Sequence, residues 1–182
     1  MILAFDTATS FGAVCGTSTG GRARAARSGD LLAAVDGLVD DPAAIEAIVV
    51  GCGPGSFTSI RIGLAVARSL ALSLDVPVAG ASTLDAYAGV TPVIDARRGE
   101  VFAPGPVVCR PEELEAAGAL LVGDGAVRYR AIFEAAGGEV PPDDADVHLP
   151  DPQLLLEHAG PFGAAELVEP LYVREPDARP SR

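Results

Sequence analysis

The stretch from Ala47 to Leu74 constrains this chain more than any other. Ala47 to Val50 is a continuous apolar run ending at glycine, the mark of a strand buried on both faces. The glycine-rich segment GCGPGSFTSIRIG follows at once, and a further apolar run predicts a long helix over 60–74, ended by Asp75 and Pro77. At about 100° per residue, Ile60, Leu64, Ala67, Leu70, Ala71 and Leu74 fall on the expected core side. The opposite side holds Ile62, Ala65, Val66, Ser69 and Ser73, with Arg61 and Arg68 together on one flank. A surface helix carries charge opposite its core stripe, but this one is small and apolar there. Such a helix is either buried on all sides or holds a partner, and small outer residues permit another helix to approach closely. A subunit interface is the expectation, with burial under a second lobe as the alternative.

Around this segment the pattern is α/β. Two short apolar runs, Ile2 to Phe5 and Ala13 to Gly16, are too close in sequence for a parallel return, so they predict an antiparallel hairpin. Alternating Ala and Arg over 22–27 suggest a third, half-exposed strand. A helix is expected over 31–39, with Leu31, Val35 and Leu38 on one face and Asp41-Pro42 as its stop. Strands at 78–79 and 92–95 and a short helix at 84–88 continue the alternation. Later, 112–117 and 127–136 read as helices, 120–122 as a strand, 141–152 as an exposed loop, and the tail 175–182 as frayed. The division expected is 1–100 and 101–182.

Composition removes several chemistries. All 13 basic residues are Arg against 25 acids, giving a net charge of −12. Without a single Lys there is no Walker A lysine and no Schiff-base lysine. No basic stripe suited to a polyphosphate shows in the sequence, and nine aromatics offer few stacking platforms. Cys15, Cys52 and Cys109 are scattered and odd in number, which reads as buried apolar filling in a reducing compartment. The N-terminus lacks a basic leader, and no window approaches the roughly 20 apolar residues of a membrane span. A soluble cytoplasmic protein is expected.

Few residues suggest chemistry directly. Asp6, at a strand end before a hydroxyl-rich turn, suits either a carboxylate beside a nucleotide-bound metal or a plain turn cap. The loop with Gly53, Gly55 and Ser56 could hold an anion on free amides, or could simply connect strand to helix. Its spacing fits neither GxGxxG nor a P-loop, and Pro54 removes one donor. Arg61, just inside the helix, opposes the helix dipole and calls for a carboxylate or a ligand beside it. His148 and His158 have no neighbouring ligand residues, so no zinc site is expected. Asp95, Arg97, Arg98 and Glu100 form a charge cluster that reads equally as a salt-bridged turn or a functional group of residues.

ILAFDTATS, VGCGPGSFTSIRIGLAVARSLAL, PVIDARRGEVF, GDGAVRY and PLYVREPDA occur in that order. In these blocks the chain resembles the bacterial TsaB (YeaZ) family, the non-catalytic partner in making threonylcarbamoyladenosine beside the tRNA anticodon. The resemblance implies an actin-like fold of two related lobes, the second shortened here after Phe102. It implies binding to the catalytic subunit TsaD, with the ATPase TsaE, through a helix bundle, and a homodimer when the chain is alone. Contact with tRNA would come only through the complex, with no membrane involved and no cofactor expected. By the same resemblance the helix before the glycine loop joins the interface, adding Leu31, Leu32 and Val35 to the outer residues of the long helix. Two departures stand out: Ser59 replaces the usual Gly, and a usual His is absent from ARSGDLL. The other reading is an ATP-binding phosphotransferase or ATPase of the actin-like superfamily, with Asp6, Thr7 and the glycine loop on the phosphates.

Overall fold

The computed structural model describes residues 1–174. The tail expected to fray, 175–182, lies outside the described residues. Strands β1 (Ile2–Asp6), β2 (Ala13–Thr17), β3 (Arg22–Ala25), β4 (Ala47–Gly51) and β5 (Val78–Ala81) form one sheet in the order β3-β2-β1-β4-β5. The short turn makes β1 and β2 antiparallel, as expected, while β4 lies parallel to both β1 and β5. Alternation sorts the side chains into two cores. Leu3, Phe5, Ile48 and Val50 pack with helices α1 (Leu31–Asp36) and α2 (Phe57–Leu74). Ala4, Val49 and Ala79 point the other way, toward Leu155 of helix α5 (Pro152–Glu157).

Helix α2 begins where Ser56 caps it, its Oγ accepting from the Ser59 amide at 3.4 Å. It ends where Asp75 turns into the left-handed region at φ 55°. At 18 residues and a mean hydropathy of 1.3, it is long and apolar enough by length and composition to cross a membrane. That corrects the expectation that no window comes near a span. In the fold, Ile60, Leu64, Ala67 and Ala71 lie on the sheet, as the periodicity requires.

Two smaller sheets follow. Strands β6 (Thr91–Pro92) and β10 (Leu121–Val122) pair in parallel, and β7 (Ile94–Arg97), β8 (Glu100–Ala103) and β9 (Val107–Cys109) form an antiparallel meander. Several expected helices are shorter or absent. Helix α1 stops at Asp36 because Gly37 follows and the chain tightens into a turn, Leu38 N–H donating to the Val35 carbonyl. The expected helix at 127–136 is two helices, α3 (Asp124–Arg128) and α4 (Arg130–Ala135), divided where Tyr129 leaves helical geometry. At 112–117 only one turn forms, Pro111–Glu113, after which Leu114 is extended and Ala116 reaches the core. So short a run cannot nucleate a helix when extended chain buries its apolar side chains.

The segment 141–152 is not simply an exposed loop, because His148 is 1% exposed. Its Nδ1 accepts from the Gly123 amide at 3.1 Å, so Nε2 carries the proton and donates to the carbonyls of Pro141 and Pro142, each at 3.1 Å. One ring thus ties the loop to the start of α3. His148→Phe keeps most of the volume but leaves these buried groups unpaired. The expected loss is about 2–4 kcal/mol in a urea melt at neutral pH, and a loss within experimental error would contradict it. Cys15 and Cys52 are buried, their thiols pushed up to about 11 chiefly by burial, but Cys109 is only half-buried on β9.

Candidate functional site: the outer face of the long helix and the cleft at its N-terminus

The sheet carries α2 at the surface with its outer side uncovered by the described residues. Ala65, Ser69, Ser73, Arg61 and Arg68 are exposed, while Ile62 and Val66 are half-buried at the margin. Leu72, which the sequence reading left out of this face, is 86% exposed and extends it toward the helix C-terminus. Its position seven residues beyond Ala65 was the available signal, because that spacing returns to the same side. On α1 only Leu32 adds to the surface, at 52% exposure. Leu31 and Val35 do not: at 0% and 7% exposure they pack into the core on the side of α1 that lies against β2 and β3, so their place in a partner face is corrected. Helical spacing put those two on one face, and that face is the one the sheet claims.

The two arginines on the flank are tied down by the chain's own C-terminal segment. Arg68 donates to the carbonyls of Ala165 and Val168, at 3.4 and 2.9 Å. Arg61 lies 3.9 Å over the Phe57 ring and donates to the Tyr172 hydroxyl at 3.0 Å, and the Phe57 and Tyr172 rings stack with centroids 5.1 Å apart. The cation near the positive helix end therefore sits against an aromatic pair, whose ring faces attract it.

The residues read as nucleotide contacts separate into two groups. Asp6 and Thr7 are each 1% exposed. Asp6 Oδ1 accepts from the Ala8 amide and Oδ2 from the Thr83 hydroxyl, both at 2.6 Å. Thr7 Oγ1 donates to the Ser59 carbonyl at 2.7 Å, beneath Gly63, where a Cβ would come within 2.5 Å of that oxygen. These groups join β1, the start of α2 and the Thr83 turn, and neither faces a ligand surface. Of the two readings of Asp6, the turn cap is the one the geometry supports. Gly53 is buried, with φ 97° and its carbonyl accepting from Thr83 N–H at 2.8 Å. Gly55 and Ser56 are half-buried and line a cleft of about 460 Å³ between the start of α2, the β7–β8 hairpin and residues 171–174.

Three aspartates, Asp6, Asp95 and Asp124, are buried behind or beside the cleft and act on one another. Burial, the largest cause, lifts the carboxyls of Asp6 and Asp124 above the ordinary 3.8. The charge of Asp124 adds to the rise at Asp6, and that of Asp95 to the rise at Asp124. Asp124 accepts from the amides of Ser10 and Asp95, at 2.7 and 2.9 Å, so it joins the first turn to β7. Because these folded-state values lie above the unfolded ones, the folded chain holds more protons between the two. The stability they contribute is full below the unfolded value and is lost as pH rises through the folded values. Melting temperature should therefore fall more steeply from about pH 4 toward neutrality in the wild type than in Asp124→Asn or Asp6→Asn. Parallel curves would show that burial of these carboxyls is not felt.

The cluster along the β7–β8 hairpin is salt-bridged. Asp95, its side chain 3% exposed, receives Arg97 at 3.1 Å and Arg128 at 3.5 Å, while Arg174 pairs with Glu100.

With this geometry in place, likeness to known proteins sets the class. A solved structure described as an uncharacterised protein with similarity to the peptidase YeaZ, from Pseudomonas aeruginosa, superposes with a TM-score of 0.74 at 27% identity, covering 95% of this chain and 99% of that one. The family model for TsaD, tRNA N6-adenosine threonylcarbamoyltransferase, matches residues 32–118. These likenesses define an α/β protein of the actin-like fold class. An uncharacterised protein of Mycobacterium bovis is 35% identical over 165 residues, 83% of this chain and 74% of that one. The tRNA threonylcarbamoyladenosine biosynthesis protein TsaB of Haemophilus influenzae is 30% identical over 172 residues, 71% of this chain and 70% of its own length. The chain belongs to the TsaB (YeaZ) family.

Proposed function

We propose that this chain serves tRNA threonylcarbamoyladenosine synthesis as a non-catalytic partner subunit. Its uncharged helix face would hold the catalytic subunit TsaD in a helix bundle. The observation that carries this reading is the outer side of α2, where Ala65, Ser69, Ser73 and Leu72 lie exposed with no charge among them. Small residues let a second helix approach closely, and exposed Leu32 and Leu72 supply apolar area at the edges. The family relationship supplies the pathway. In this reading Arg61 and Arg68 border the contact, and the same face pairs two copies when TsaD is absent. TsaE joins the assembled complex, and tRNA is met through it. The actin-like fold would comprise lobes at 1–100 and 101–182, the second shortened, in a cytoplasmic protein. Complementation tests the reading: cells deprived of their own TsaB should regain threonylcarbamoyladenosine in digested tRNA when they express this chain with its cognate TsaD. No recovery despite soluble expression of both would count against it.

A further inference from the structure

His148 is one of two imidazoles in the chain, and its partners all come from outside its own turn. The ring lies between the segment 141–148 and the start of α3, and one of its contacts admits only the neutral form. Nδ1 accepts from the Gly123 amide, while the proton on Nε2 is directed at the Pro141 and Pro142 carbonyls. A backbone amide is always a donor, so a second ring proton, on Nδ1, would set two donors against each other at 3.1 Å.

Gly123 cannot turn away from that conflict. Its φ is 102°, and a Cβ there would come within 2.5 Å of the Val93 carbonyl oxygen. The same carbonyl accepts from Gly125 N–H at 3.0 Å, and Val93 N–H donates to the Val122 carbonyl at 2.8 Å. The backbone on both sides of the amide is therefore fixed by β6, β7 and β10. On the other side of the ring, Tyr87 donates to the His148 carbonyl at 3.2 Å, and the Phe11 ring lies 6.3 Å away.

The charges nearby sharpen the conflict. Arg130 of α4 donates to the Val140 and Pro141 carbonyls and pairs with Asp143 and Glu134. The Pro141 carbonyl thus serves a guanidinium and the imidazole together, and an imidazolium would bring a second cation to it. Asp124, next to Gly123, spends its carboxylate on the Ser10 and Asp95 amides. Tyr87 keeps its proton, because burial holds it well above 10. Asp144, Asp146 and Asp151 complete the titratable groups on the elements around the ring.

We propose that His148 is a proton-sensitive latch: the segment 141–148 stays closed on the start of α3 while the imidazole is neutral, and uptake of one proton releases it. Arg130 is the second fastener, and it holds at any pH. The latch is independent of the partner reading, since it is measured on the chain alone.

Amide hydrogen exchange of the full chain, corrected for the intrinsic pH dependence of exchange, tests it at Gly123, whose amide the ring itself protects. An imidazole in the open segment titrates near 6.5, so opening at Gly123 should rise roughly twentyfold from pH 7 to pH 5. Titration of Asp124 acts in the opposite direction, since its carboxyl is lifted above 3.8, and cannot mimic that rise. His148→Asn keeps an acceptor in the place of Nδ1 without a titrating ring, and the rise should vanish there. His158→Gln, at the other, exposed imidazole, should keep it. Should His148→Asn fail to fold, the ring nitrogens of the wild type decide by NMR: an imidazolium at pH 5 with Gly123 still protected overturns the proposal. So does equal protection at both pH values in the wild type, or the same rise in His148→Asn.

Discussion

If the proposed partner reading holds, Ala65→Arg is expected to abolish the association of this chain with TsaD, and with a second copy of itself, while leaving its melting temperature nearly unchanged. The two halves of that expectation come from one fact: Ala65 is exposed on α2, on the side away from the sheet. In the free chain the new guanidinium stands in water and disturbs nothing, as at most surface positions. In the complex it would be driven into a close helix contact that has no counter-charge to offer. Burying an unpaired charge costs about 3–5 kcal/mol, which is on the order of a hundredfold or more in affinity. Val66→Arg should also break the contact but is the less selective probe, because Val66 is half-buried and packs against the core. Gel filtration of wild type and Ala65→Arg at micromolar concentration, alone and mixed with TsaD, reads the effect. Equal complex formation by both would show that the contact lies elsewhere on the surface.

Gly51→Ala is expected to destabilise the chain strongly. A Cβ on Gly51 would overlap the Asp6 carboxylate, which is buried and held by the Ala8 amide and the Thr83 hydroxyl. Neither side can yield cheaply. Gly51 sits in β4 between β1 and β5, so its backbone is fixed by ladder bonds, and Asp6 cannot turn away without leaving a buried carboxyl unpaired. Combined overpacking and loss of a buried polar network put the cost at about 4 kcal/mol or more. For a chain of this size that corresponds to a fall in melting temperature of about 10 °C. A thermal melt followed by circular dichroism measures it, and a shift of only a degree or two would show that β1 and β4 are more compliant than their packing indicates. By contrast Gly99→Asn, at an open turn with φ 80°, should have little effect on stability.

What the sequence disclosed, and what it hid, follows the range of the interactions involved. The β1–β2 hairpin, β4 and α2 are written in consecutive residues: a short turn, an apolar run, a period near 3.6. They form where the local pattern puts them. Helix α5 escaped because it is six residues long, although Asp151 followed by Pro152 is an ordinary start signal, with Asp151 Oδ1 accepting from Gln153 N–H at 2.9 Å. Tertiary partners decided the rest. His148 has no ligand-like neighbours in sequence, and its burial depends on Gly123 and two proline carbonyls. Asp6 looks like a site carboxylate until Thr83 closes over it. The cation cluster on Asp95 draws on residues 95, 97 and 128, a combination that no linear window contains. The exposed side of α2 proposed as a partner face was half legible: periodicity found which residues point outward there, but it could not tell that α1 turns Leu32 outward and Leu31 and Val35 inward.

Sedimentation of the chain at micromolar concentration, alone and then with an equal amount of cognate TsaD, addresses the partner reading most directly. A mass of two copies for the chain alone, replaced on mixing by a species carrying both polypeptides, is what an unclothed helix face of this character predicts. A single-copy mass that persists unchanged in the mixture would contradict it.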